Sequence, residues 1–144
     1  MNPRTLNTVL DCANLSLNWL RARNVAMENH EEETLEMCAH ASAKLHELLT
    51  LQGIAGELVA NDAHCYVLVG EVIVDVTANQ FSSALPSVVL IEREKVDPEQ
   101  YWWIEGVRFS DVREFASHLA TEGWPEHQIP NEKETPHAVS LYLH

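Results

Sequence analysis

The sequence predicts an α+β domain in which a helix with a cysteine near its start packs on an antiparallel β-sheet. Three observations carry this expectation. Apolar residues recur at helical spacing in two stretches, 5–23 and 38–49; alternating apolar runs flank a two-residue loop at Gly70-Glu71; and Cys38, His64 and Asp75 follow one another along that helix and those strands. With 144 residues, 46% of them hydrophobic, the chain can bury one core and is too short to expect two, so a single domain over 1–144 is expected.

Leu6, Val9, Leu10, Ala13, Leu17 and Leu20 fall on one face of a first helix, read as scaffold. The segment 28–36 holds five glutamates and reads as a solvated connection or the charged entry to the next helix. Cys38, Ala41, Leu45, Leu48 and Leu49 restore the helical period, and Gly53 is suited to the left-handed cap that ends it. Strands are predicted over 54–60, 64–69 and 72–77, with Asn61-Asp62-Ala63 as a turn between the first two. The two-residue loop sets the register of the hairpin, Val69 to Val72, Val67 to Val74 and Tyr66 to Asp75, with His64 opposite Thr77. Cys65, Val67, Val69, Val72, Val74 and Val76 then share one face, and His64, Tyr66, Leu68, Ile73, Asp75 and Thr77 the other. His64 and Asp75 become diagonal neighbours about 7 Å apart, within side-chain reach. Further on, 88–91 reads as a strand, 101–104 as a strand over the core, and Ser110 as the N-cap of a helix through Val112, Phe115, Ala116 and Leu119 to Gly123. The stretch 124–136 reads as loop, and 137–143 as a last short strand.

Nine Lys and Arg against 22 Asp and Glu give a net charge of −13, which opposes nucleic-acid backbones and anionic membranes and favours basic or neutral partners. No apolar run approaches the roughly 20 residues that span a bilayer, and the N-terminus lacks the apolar stretch of a secretory signal, so a cytoplasmic protein is expected. Three cysteines at 12, 38 and 65 form neither a disulfide framework nor a zinc pattern and fit a reducing compartment.

A cysteine becomes a nucleophile near neutral pH when a helix N-terminus and an imidazole stabilise its thiolate, and a third polar group fixes the imidazole. Cys38, His64 and Asp75 supply those three types, and an unpartnered Asp75 inside a valine-rich strand would be costly to bury. Their context, with Leu51-Gln52-Gly53-Ile54-Ala55 closing the helix, Glu57-Leu58-Val59 on a strand and Val74-Asp75-Val76-Thr77 at the third strand's end, resembles the core of transglutaminase-like proteins, related to papain-like peptidases. The resemblance covers roughly 34–81, about a third of the chain, and Asp75-Val76-Thr77-Ala78-Asn79-Gln80-Phe81 is similar to an ending seen in small bacterial and phage relatives. Met37, Tyr66 and Glu57 depart from the pattern, where glycine, tryptophan and arginine are common.

The resemblance implies attack by Cys38 on an amide or acyl carbonyl of a peptide or protein, proton transfer by His64, orientation by Asp75 and a thioester intermediate, without a cofactor. Water as acceptor gives a peptidase, amidase or deamidase, and an amine gives a transferase. The Cys38 backbone N–H is the expected oxyanion donor, Gln80 a second candidate, and Thr77 a support for the strand end. A metal site drawn from Cys38, His40, His46, His64 and Cys65 fits poorly, because 38 and 40 diverge around a helix and 64 and 65 point to opposite faces of a strand. The alternative reading is a non-catalytic acidic module of the same fold that binds a basic protein. The acidic run before Cys38 would raise the thiol pKa if close, or attract a basic substrate if it flanked a cleft.

Overall fold

The computed structural model describes residues 1–26 and 37–130, with side chains of the first segment to Arg23; the acidic run 28–36 and the strand expected over 137–143 lie outside the described residues. Helix α1 (Pro3–Ala26) begins where Asn2 Oδ1 accepts the Thr5 N–H at 2.8 Å, an N-cap followed by proline at the first helical position. Val9, Ala13, Leu17 and Leu20 are its buried face. Helix α2 (Cys38–Leu51) ends as Gly53 predicts. Gly53 adopts φ 72°, its N–H bonds to Thr50 O and the Ile54 N–H to Leu49 O, the paired bonds of a Schellman cap.

Strands β1 (Glu57–Ala60), β2 (Cys65–Val69), β3 (Val72–Asp75), β4 (Val89–Glu92) and β5 (Val107–Phe109) form one antiparallel sheet of order β4-β3-β2-β1-β5. The hairpin has the predicted register, Val67 to Val74 and Val69 to Val72. Each of the three predicted strands is shorter than expected, for a local reason. Ile54 is spent on the helix cap, Asn61 Oδ1 takes the His64 N–H at 2.8 Å, and Asp75 Oδ1 takes the Thr77 N–H at 2.8 Å, so the ladder loses its donors at those points.

The two faces divide as the alternation requires. Cys65, Val67, Val74 and Val76 join α1, α2 and the buried Phe115 and Leu119 of α3 (Val112–Thr121) in one core. Tyr66, Leu68 and Ile73 meet Val89, Trp102 and Trp103 in a second core on the opposite face. Because α2 lies between α1, the sheet and the segment after α3, every residue of its first seven positions, Cys38 to Lys44, is buried, not one stripe alone. Even Lys44 is covered, with Glu47 at 2.9 Å and its ammonium over the Trp19 ring.

Two expectations are corrected in the second half, and one strand is added. Tyr101–Trp103 is a 3₁₀ turn, not a strand: the Trp102 and Ile104 carbonyls are taken by Asn61 Nδ2 at 3.0 Å each, and Ile104 O also by Tyr66 Oη at 2.9 Å, which leaves no ladder to form. Val107–Phe109, given no element in the sequence reading, is β5, paired to β1 at the sheet edge. Asp111, not Ser110, caps α3, accepting the Arg113 N–H at 2.7 Å from an extended backbone. Among the described residues no helix is long and apolar enough to cross a membrane.

Candidate active site

The Asn61–His64 turn fixes the histidine. Asn61 Oδ1 accepts the N–H groups of Ala63 and His64 at 2.8 Å each, Asn61 N–H bonds to His64 O, and its Nδ2 grips the 101–104 segment as above. One side chain thus shapes the turn and anchors the segment that carries Trp103.

Asp75, at the end of β3, is 3% exposed and carries four hydrogen bonds. Oδ2 accepts from His64 Nε2 at 2.7 Å and Trp103 Nε1 at 2.8 Å; Oδ1 accepts from Thr77 N at 2.8 Å and Thr77 Oγ1 at 3.2 Å. A carboxylate offers about four lone-pair sites, so this buried anion is saturated. Burial opposes its ionisation, but the His64 ring, the Thr77 N–H and the Trp103 N–H outweigh it and hold the pKa below the ordinary carboxylate value.

With Nε2 committed to Asp75, the other ring nitrogen, Nδ1, is buried without a hydrogen bond of good geometry, and the ring interacts with the Cys38 thiol. Phe81 packs edge-on against the imidazole, centroids 4.9 Å apart. Cys38 is the first residue of α2, where backbone N–H groups lack intrahelical acceptors, and the preceding Met37 has no side chain able to cap them. The Cys65 thiol first, then the charge of the His64 ring and the Cys65 backbone, outweigh burial and bring the Cys38 pKa down to about 5. Burial would depress the imidazole, but Asp75 and Cys38 raise it to about 10. Between those values the pair is thiolate and imidazolium.

Cys38 and His64 line a cavity of about 350 Å³ together with Gln80, Phe81, Trp124 and Gln128. His40 Nε2 meets His127 O at 2.7 Å, which ties α2 to the 124–128 segment that forms the far wall. A second cavity of about 270 Å³ lies beyond it; the two share Asp62, Glu122 and Trp124.

Cys38, His64 and Asp75 are therefore together, Thr77 supports the carboxylate, and Gln80 faces the same cavity. His64, just before β2, and Cys65, its first residue, both lie beside Cys38. Among the described residues no three His, Cys, Asp or Glu side chains are arranged to hold a metal ion. The departures at 57, 66 and 37 have local uses. Glu57 pairs with Arg108 at 3.4 Å, Tyr66 holds Ile104 O, and the Met37 sulfur meets Arg23 Nη1 at 3.8 Å. Trp103 and Cys65 were not among the predicted site residues. Trp103 was hidden because an aromatic run reads as core, and Cys65 because it lies on the valine face. Compared with known proteins, the chain matches no family model, no curated protein and no solved structure.

The thiolate–imidazolium pair makes a prediction for stability. In the unfolded chain the thiol and imidazole titrate near 9.0 and 6.5, against about 5 and about 10 in the fold. Cys38, depressed, contributes stability that is complete above its unfolded value and lost as pH falls through the folded one; His64, raised, contributes stability complete below its unfolded value and lost as pH rises through the folded one. The opposed slopes cancel from about pH 6.5 to 9. In Cys38→Ala only the histidine slope remains, so urea-unfolding stability declines with rising pH across that window, where this pair leaves the wild type flat.

Proposed function

We propose that this chain is a thiol-dependent hydrolase or acyltransferase acting at an amide bond, built on papain/transglutaminase-like architecture. The observation that carries the reading is the His64 ring, bonded through Nε2 to a buried, saturated Asp75 and interacting with Cys38 at the start of a helix. That is the relation a nucleophile, a base and an orienting acid require.

In this reading the Cys38 thiolate attacks the substrate carbonyl carbon. The negative charge that develops on the carbonyl oxygen meets the Cys38 N–H at the uncapped helix start, with Gln80 as a second donor from the cavity wall. The His64 imidazolium gives its proton to the departing amine, the C–N bond breaks, and a thioester on Cys38 remains. The neutral imidazole then takes a proton from water or an acceptor amine as that nucleophile attacks. Collapse expels Cys38 as thiolate and leaves His64 protonated, so the site returns to its starting state with protons balanced. Water gives hydrolysis and an amine gives transfer. Asp75 stays ionised throughout and holds the ring, while Trp103 and Thr77 hold Asp75.

The substrate side of the reading is a peptide or protein with a basic group near the reacting amide. Its support is the wall shared by the two cavities, which includes Asp62 and Glu122 with Trp124, on a chain of net charge −13. Three free thiols fit a reducing compartment such as the cytoplasm. The same charge favours a second reading, an acidic binding module that does no chemistry.

Alkylation separates the two. At pH 6, iodoacetamide labels Cys38 at least about tenfold faster than Cys12 or Cys65 by peptide mass spectrometry, and His64→Ala removes the advantage. Equal, slow labelling of all three would leave the binding module standing. For the basic substrate, aminoethyl methanethiosulfonate modifies Cys38 faster than its anionic sulfonatoethyl analogue. The Asp62→Asn/Glu122→Gln double variant reduces that ratio several-fold, and Glu94→Gln, on the far edge of the sheet beyond β4, leaves it unchanged. A ratio unaffected by the double variant would remove the basic subsite.

A further inference from the structure

His64, just before β2, and Cys65, its first residue, both lie beside the Cys38 sulfur, and the proposed mechanism uses only the first. Cys65 is fully buried and shares the helix-side core with Cys38. Its thiol and its backbone both act on the Cys38 thiol and favour its ionised form.

The ladder explains why the Cys65 N–H is available. Asn61 N–H bonds to His64 O, which makes Ala60 and Cys65 a pair without mutual hydrogen bonds and turns the Cys65 N–H away from β1. On the β3 side the last pair is Val67 with Val74, and the strand stops at Asp75, so no strand acceptor stands opposite Cys65. The amide and the thiol are thus presented at the open end of the β2–β3 ladder, where the start of α2 sits. A buried sulfur anion needs donors around it. Here it has the His64 ring on one side and the N–H and S–H of Cys65 on the other. Cys65 remains the donor of the two sulfurs because burial and the neighbouring Cys38 push its own pKa well up.

We infer that Cys65 is a positioning residue of this site, whose S–H and N–H hold the Cys38 sulfur as the attacking anion beside His64. The inference rests on the thiol-dependent reading above and adds to it a second sulfur that does not react. The titratable groups around the Cys38 sulfur among the described residues are His64 and Cys65, with Asp75 behind the ring and Asp62 and Glu122 on the cavity wall. The test changes Cys65 alone.

The experiment is the pH profile of iodoacetamide labelling at Cys38 in wild type, Cys65→Ala and Cys65→Ser, with circular dichroism to establish that each variant is folded. Alanine keeps the backbone N–H but removes the side-chain donor, and labelling at pH 6 falls about tenfold as the profile moves to higher pH. Serine restores a donor of similar size and keeps the profile near that of wild type. A low wild-type midpoint that Cys65→Ala leaves in place overturns the inference and leaves the thiol-dependent reading intact. Equal shifts in the alanine and serine variants also overturn it, because they would trace to packing and not to the donor. An ordinary midpoint in wild type removes the underlying reading, and this one with it.

Discussion

The buried carboxylate of Asp75 is the constraint around which this structure is arranged. An ionised group at 3% exposure, inside a strand otherwise made of valine and isoleucine, is tolerated only if its oxygens are fully bonded. Its four donors come from three separate parts of the chain: the turn before β2, the strand end at Thr77, and the 3₁₀ turn at Trp103. Satisfying one anion therefore fixes the orientation of the imidazole, ends β3, and docks the aromatic segment that covers the second core. Removing a single partner of such a group costs about 3–5 kcal/mol in comparable buried pairs, which makes the arrangement nearly all-or-none.

The thiol sits on the other side of the sheet's end, and that position matters as much as the pair behind it. Cys38 belongs to the helix-side core, whereas Tyr66 and Trp103 belong to the opposite one. Only where the β2–β3 ladder opens can a helix residue from one layer reach a histidine held against the other. The uncapped start of α2 brings free backbone donors to the same point, and the cavity beside it gives a carbonyl room to approach. Cys38 and His64 are both buried, so their charges are screened less than at the surface.

Much of this was legible in the sequence because period-two alternation and a two-residue loop leave a hairpin little freedom. The register from Val67 to Val74 and the separation of its valine face followed from those features alone, and the end of α2 from a glycine suited to the left-handed cap at 53. The pairing of His64 with Asp75 was readable for the same reason. What was not legible depended on side chains that outcompete the backbone ladder. Asn61 shortens β2 and holds a segment forty residues away, and no spacing rule connects it to Trp102 and Ile104. Trp103 bonds a carboxylate through one N–H while reading as ordinary core. Cys65 was assigned correctly to the apolar face, yet the helix start brings a sulfur to that face as well.

A His64 imidazolium held between a carboxylate and a thiolate is reported directly by its ring nitrogens. Nitrogen-15 NMR of the His64 side chain at pH 7 should find both Nδ1 and Nε2 protonated, with the ring losing its proton only as pH approaches about 10. A neutral ring at pH 7, with one unprotonated nitrogen, would contradict the account, since the thiol beside it would then be protonated and the site unarmed.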